Sequence, residues 1–170
     1  MHTTAVVMSK GQHTNEVEGT AYTLLAIVTP DGADPSASLG VPCIFYLKNT
    51  SDANLVITDV RTWAESAEYI DVYFNQTGTP IGGNEATPIN MNLSSGKQAS
   101  GVFLGSSRIT GMSGGNLFDR LRVQADDGDH LFTWEEGIIM PKNTILTVYA
   151  GTGGISIETS ISFYYHPEEG

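Results

Sequence analysis

The residue types that most often carry catalysis are few in this chain, and they are not spaced for it. The four histidines are His2, His13, His130 and His166. They form none of the HxH, HxxxH or HExxH spacings of zinc centres, and no GxSxG turn presents a nucleophilic serine. Cys43 is the only cysteine and lies in the apolar run 41–47, which predicts a small buried side chain. We therefore expect no enzymatic activity and no cofactor.

Two turns contain residue types that bind ions or phosphates in other proteins. Asp126, Asp127 and Asp129 surround Gly128, and clustered carboxylates suit a hard cation such as calcium. The turn lacks the twelve-residue spacing and distal glutamate of an EF-hand, so a solvated hairpin tip is the main interpretation and calcium the alternative. Residues 151–154 read Gly-Thr-Gly-Gly, but no lysine follows and the next segment predicts a strand, which indicates a hairpin turn.

Aromatic and acidic side chains leave two further alternatives open. Trp63 and Trp134 suit sugar stacking, although tryptophans more often lie in the core or at its rim. A polysaccharide-degrading sandwich enzyme needs paired carboxylates in one cleft. The sequence offers two pairs, Glu135 with Glu136 and Glu65 with Glu68. Nothing in the pattern brings these pairs together.

The charge balance argues against polyanionic partners. The 170 residues include 8 basic and 19 acidic side chains, which gives a formal net charge of −11. Such a field repels nucleic acid and anionic membranes. No apolar run reaches the about 18 residues that span a bilayer, and the N-terminus has neither the basic nor the apolar region of a secretory signal. We expect synthesis in the cytoplasm and no membrane partner.

The elements that must position these residues are strands. Ile155, Ile157, Thr159, Ile161 and Phe163 alternate strictly with polar residues, as in a half-buried strand. The whole pattern predicts an all-β antiparallel sandwich, with jelly-roll or Greek-key topology and eight to ten short strands. Residues 20–170 are expected to form one domain, and residues 1–19 an N-terminal arm or a first strand.

Between these strands, the glycine- and proline-bearing stretch 75–92 predicts a long connection. A short strand is expected at 99–104, followed by a serine- and glycine-rich loop at 105–116. Residues 130–134 and 137–140 predict two separate strands.

Two segments carry a family resemblance. Residues 45–57 read FYLKNTSDANLVI and residues 137–144 read GIIMPKNT, with a glycine-rich link into the final strand. These segments resemble small virion structural proteins of tailed bacteriophages, namely capsid decoration (cement) or head-fibre-like proteins with jelly-roll domains. The resemblance implies a capsid-surface protein, commonly a homotrimer, that clips neighbouring major capsid subunits together. A carbohydrate- or receptor-binding module of a virion fibre is the alternative.

The N-terminal segment offers a candidate docking element. Val6, Val7 and Met8 are apolar within an otherwise polar stretch. We expect this arm to order when it docks on the capsid or on a neighbouring subunit. An ordinary first strand of the sandwich is the other interpretation.

Overall fold

A computed structural model of the chain describes residues 18–31, 42–124 and 128–166. Twelve strands run through these ranges, and no α-helix does. They are β1 (Ala21–Val28), β2 (Cys43–Asn49), β3 (Asn54–Ala64), β4 (Glu68–Phe74), β5 (Thr77–Ile81), β6 (Asn84–Glu85), β7 (Ile89–Asn90), β8 (Gly101–Ser113), β9 (Asn116–Val123), β10 (His130–Met140), β11 (Ile145–Ala150) and β12 (Ile157–His166). No helix in the described ranges is long and apolar enough to cross a bilayer.

The strands form two antiparallel sheets with jelly-roll topology. Strands β1 to β4 pair in reverse order with the last four strands, as β1 with β12, β2 with β11, β3 with β10 and β4 with β9. This rolled ribbon produces a five-stranded sheet in the order β10-β3-β12-β1-β7. The second sheet has seven strands, in the order β5-β8-β2-β11-β4-β9, with β6 also paired to β8. The predicted antiparallel sandwich is confirmed.

The core between the sheets is built from the alternation seen in the sequence. Ile157, Ile161 and Phe163 are fully buried, as the period-2 pattern of the last strand predicts. Phe163 stacks on Tyr22 and on Phe103, with ring centroids 5.5 Å apart in both pairs. Tyr22 on β1 and Phe163 on β12 belong to the five-stranded sheet, and Phe103 on β8 belongs to the seven-stranded sheet. The aromatic stack therefore fixes how the two sheets face each other.

The region between β4 and β9 differs from the prediction. The expected loop 75–92 contains β5, β6 and β7, which raises the strand number above the expected eight to ten. The expected short strand 99–104 continues as β8 for 13 residues, through the segment expected to be a loop. The glycines there permit close pairing: a Cβ on Gly78 would lie 2.1 Å from the carbonyl oxygen of Gly111. Glycine in this segment allows two strands to approach closely, so the prediction of a loop from the composition was wrong.

A bulge also joins two predicted strands into one. Residues 130–134 and 137–140 belong to the single strand β10, whose register against β3 shifts between Thr133 and Ile138. Gly137 adopts φ +72° there, and a Cβ would lie 2.6 Å from Cγ1 of Val56. The glycine therefore allows the strand to continue past the extra residues.

The close packing of glycines between β5 and β8 leads to a testable prediction about stability. We expect Gly111→Ala to lower the free energy of unfolding by about 2 kcal/mol more than Gly114→Ala. Both positions have positive φ, but a Cβ at Gly111 would lie 2.2 Å from the carbonyl oxygen of Thr79, whereas Gly114 has no atom within 4 Å. Urea unfolding of the two variants measures the difference, and equal losses would contradict the close approach.

Candidate binding surface

The single cysteine is structural, as predicted. Cys43 is fully buried, and its thiol donates to the carbonyl oxygen of Phe45. Burial raises the pKa of this thiol to about 12, so it stays protonated and unreactive at neutral pH. Cys43 packs with Ile109 and Met112 of β8 and with Tyr46 and Tyr149, in a cluster separate from the main core.

A buried glutamine completes this second, smaller core. The hydroxyls of Thr147 and Tyr149 donate to Oε1 of Gln76 at 2.7 and 2.8 Å, and Nε2 of Gln76 donates to the carbonyl oxygen of Gly114. All three side chains are buried, so these hydrogen bonds satisfy groups that water does not reach. The arrangement stabilises the fold and leaves no polar group open to a substrate.

Glu65 and Glu68 hold a turn and do not form a cleft. Glu68 is 3% exposed and accepts hydrogen bonds from the backbone N–H groups of Tyr69 and Thr152, at 2.6 and 2.9 Å. Glu65 accepts from the backbone N–H of Ser156 at 3.1 Å. Both carboxylates thus fasten the segment between β11 and β12. Desolvation raises the pKa of Glu68 above its ordinary value.

The two tryptophans lie on opposite faces of the five-stranded sheet. Trp63 is half-buried and pairs across the strands with the exposed Glu158, on the outer face. Trp134 packs against the core and meets the ring of Phe118 at 6.1 Å. They therefore do not form a common platform for a sugar.

Several predicted site residues lie outside the described ranges. These are Val6, Val7 and Met8 of the expected docking arm, Asp126 and Asp127 of the acidic turn, and the side chains of Glu135 and Glu136. Asp129, the third carboxylate of the turn, is exposed. Among the described residues, no group of three or more His, Cys, Asp or Glu side chains is placed to hold a metal ion. The arm and the calcium site remain predictions.

An open surface among the described residues lies where β1 of the five-stranded sheet approaches β6 and β8. Two adjoining clefts, of 630 and 470 Å³, share Glu85 and Ala86 in their walls. We call them together the edge cleft. The smaller one is lined on one side by residues 25–29 and on the other by residues 84–86 and 105–107. The edge cleft thus exposes the side of β1.

Within the described ranges, β1 is an edge strand over most of its length. It pairs with β12 at all eight residues, but with β7 only at Tyr22 and Thr23. Beyond Thr23 the chain of β7 leaves for the other sheet, where β6 pairs with β8. Leu25 and Ile27 lie on the outer face of this unpaired part and are 56% and 62% exposed.

The segment that contains β7 has hydrogen-bonded polar side chains and exposed apolar side chains. We call residues 88–97 the Asn90 loop. Nδ2 of Asn90 donates to the carbonyl oxygens of Gly19 and Lys97, at 2.9 and 3.0 Å, and its Oδ1 accepts from the backbone N–H of Asn92. Ser95 Oγ donates to the same Gly19 carbonyl at 2.9 Å. These bonds hold the loop in one conformation against the start of β1.

Three large apolar side chains of the Asn90 loop face solvent. Ile89 and Met91 are more than half exposed, and Leu93 is 88% exposed. A hydrogen-bonded frame that directs apolar side chains outward is typical of a contact surface, because the ordering cost of binding has already been met. Sequence reasoning missed this surface. Its one signal was the alternation of Ile89, Met91 and Leu93 with asparagines.

The β9 edge of the seven-stranded sheet carries charged side chains, unlike β1. Arg120 of β9 pairs with Asp71 through two short hydrogen bonds of 2.6 and 2.7 Å. The guanidinium groups of Arg120 and Arg122 both lie over the ring of Tyr69, at 5.5 and 5.4 Å from its centroid. Charged side chains of this kind protect an edge strand from adventitious pairing.

The buried carboxyl of Glu68 predicts a specific pH dependence. A raised pKa in the folded state stabilises the fold below about pH 4.5, and this contribution disappears as the pH rises through the folded-state value. Glu68→Gln removes the titration. We therefore expect the stability of Glu68→Gln relative to the wild type to increase from pH 4 to pH 7. Urea unfolding at several pH values measures this, and a difference independent of pH would contradict it.

No protein-family model matches the chain, and no curated protein or solved structure shows significant similarity to it.

Proposed function

We propose that this chain is a non-enzymatic structural protein of a bacteriophage virion, which binds the outside of the head as a decoration protein. Its partner would be the major capsid protein, and its location the capsid surface. The observation that best supports this role is the Asn90 loop, whose apolar side chains are exposed on a rigid frame. The jelly-roll sandwich is also the fold that the sequence resemblance implied.

The loop is suited to a contact between two folded surfaces. Leu93 and Met91 project from a segment that is fixed by Asn90 and Ser95, so a partner with an apolar depression binds without ordering the loop. Burying a leucine or methionine side chain contributes about 1.5–3 kcal/mol. A decoration protein repeats such a contact at many equivalent positions, and linkage between copies multiplies a modest affinity.

A carbohydrate- or receptor-binding role has less support from the same geometry. Neither Trp63 nor Trp134 lines the edge cleft, and each lies on a different face of the five-stranded sheet. A glycan array in which binding depends on either tryptophan would favour this alternative over the decoration role.

The loop variants test the proposal. We expect Leu93→Ser to weaken binding to phage heads by at least tenfold, since about 1.4 kcal/mol corresponds to a factor of ten. The heads come from the encoding phage, grown without this gene, and occupancy is measured by co-sedimentation and electron microscopy. Leu117→Ser is the matched control, because Leu117 is also exposed but lies on β9.

Two results would contradict the proposal. One is that the wild-type protein does not bind the heads. The other is that Leu93→Ser binds them as tightly as the wild type and the Leu117→Ser control do. Thermal unfolding of both variants shows that the loss of binding does not come from loss of the fold.

A further inference from the structure

We propose that the larger part of the edge cleft receives an arginine side chain of the capsid protein that contacts the Asn90 loop. We call this part the Glu85 slot. It has a volume of 630 Å³ and is lined by residues 85–88, 98–99 and 101–104. The inference rests on the proposed function for its partner, and it adds the chemistry that this partner must carry.

The Glu85 slot borders the Asn90 loop at both ends of the loop. Pro88, the first residue of the loop, and Gln98, the residue after its last, both line the slot. The hydrogen bonds of Asn90 to the carbonyl oxygens of Gly19 and Lys97 hold the loop in place between them. A protein surface that docks on the exposed apolar side chains of the loop is therefore adjacent to the slot.

The inner wall of the slot is apolar and fixed. Phe103 is 4% exposed and belongs to the main core, and Ala86 and Ala99 pack against that core. The N–H of Ala86 donates to the carbonyl oxygen of Phe103 at 2.9 Å, so this wall is part of the strand pairing. Small side chains on such a wall leave room for the methylene stem of a long side chain, which gains by burial against them.

The rim of the slot carries hydrogen-bond acceptors that have no partner in the described part of the chain. Glu85 and Gln98 are exposed, and neither side chain makes a hydrogen bond or an ion pair with a described residue. The residues that line the slot include no Lys, Arg or His. Lys97, the residue before Gln98, donates from its ammonium to the carbonyl oxygen of Glu18. The Glu85 carboxylate is therefore open to a cation from outside.

A carboxylate beside an apolar wall matches a side chain with an apolar stem and a cationic end. Arginine has both, and its planar guanidinium carries five N–H donors. Two of them can bond the Glu85 carboxylate in the bidentate geometry, and others remain for the amide oxygen of Gln98, whereas a lysine ammonium acts as a point charge. The net charge of −11 also attracts a basic partner surface at longer range.

The first experiment measures binding to phage heads that were grown without this gene. We expect Glu85→Gln to weaken binding by about tenfold or more, and Glu85→Lys to weaken it further, because a desolvated guanidinium then lacks its carboxylate. Glu158→Gln is the matched control. Glu158 is also an exposed carboxylate, but it lies on β12 and lines neither part of the edge cleft. It should bind as the wild type does, and thermal unfolding checks that all variants fold.

The second experiment tests the slot without heads. Acetyl-arginine-amide is titrated into the wild-type protein, and the amide resonances of Ala86 and Ala99 are followed by NMR. We expect saturable shifts with half-saturation in the millimolar range, about 1–10 mM, as for other ligands of this size. Acetyl-citrulline-amide, which has nearly the same shape but no charge, should cause no such shifts, and neither should acetyl-arginine-amide added to Glu85→Gln.

The outcomes separate this inference from the proposed function. If heads bind Glu85→Gln as tightly as the wild type, the slot inference is overturned and the decoration role stands. If the wild type does not bind heads, the decoration role and the arginine of the capsid protein are both overturned. Absence of shifts with acetyl-arginine-amide, or equal shifts with the citrulline probe, would overturn the slot as a cation site. Tighter binding of acetyl-lysine-amide would overturn the assignment to arginine.

Discussion

The pairing of β1 is the constraint on which the open surface depends. One side of this strand is hydrogen-bonded to β12 over all eight residues, while the other side is bonded to β7 over two. The asymmetry arises because the chain crosses from β6 in one sheet to β7 in the other within a few residues. Among the residues that the structure describes, that crossing leaves the remainder of the β1 edge unpaired. The Asn90 loop, which contains β7, fixes the crossing through the hydrogen bond from Asn90 to the carbonyl oxygen of Gly19.

Side-chain alternation was sufficient to predict an antiparallel sandwich, but not which strands pair with which. The strict pattern from Ile155 to Phe163 identified the central strand β12, and the buried Cys43 followed from its apolar surroundings. The β5–β8 region was not predictable in this way. Its strands pair through glycines such as Gly78 and Gly111, which have no side chain to alternate and which resemble loop residues in composition.

The candidate surface could not be predicted from the sequence, for a related reason. Leu25 and Ile27 belong to an apolar run that is typical of a strand. Their exposure depends on which strands lie next to β1, and that is a property of the topology. Likewise, the exposure of Leu93 depends on hydrogen bonds from Asn90 and Ser95 to a residue more than 70 positions away. By contrast, the carboxylates that suggested chemistry, Glu65 and Glu68, hold a turn.

The central claim is that the Asn90 loop is a protein contact, and hydroxyl-radical labelling of the head-bound protein tests it residue by residue. Met91 and Leu93 are exposed in the free chain, so the account predicts that both become protected from labelling on the head. Leu117 on β9 is also exposed and should be labelled equally with and without heads. Labelling of Met91 and Leu93 that does not change on binding would contradict the claim.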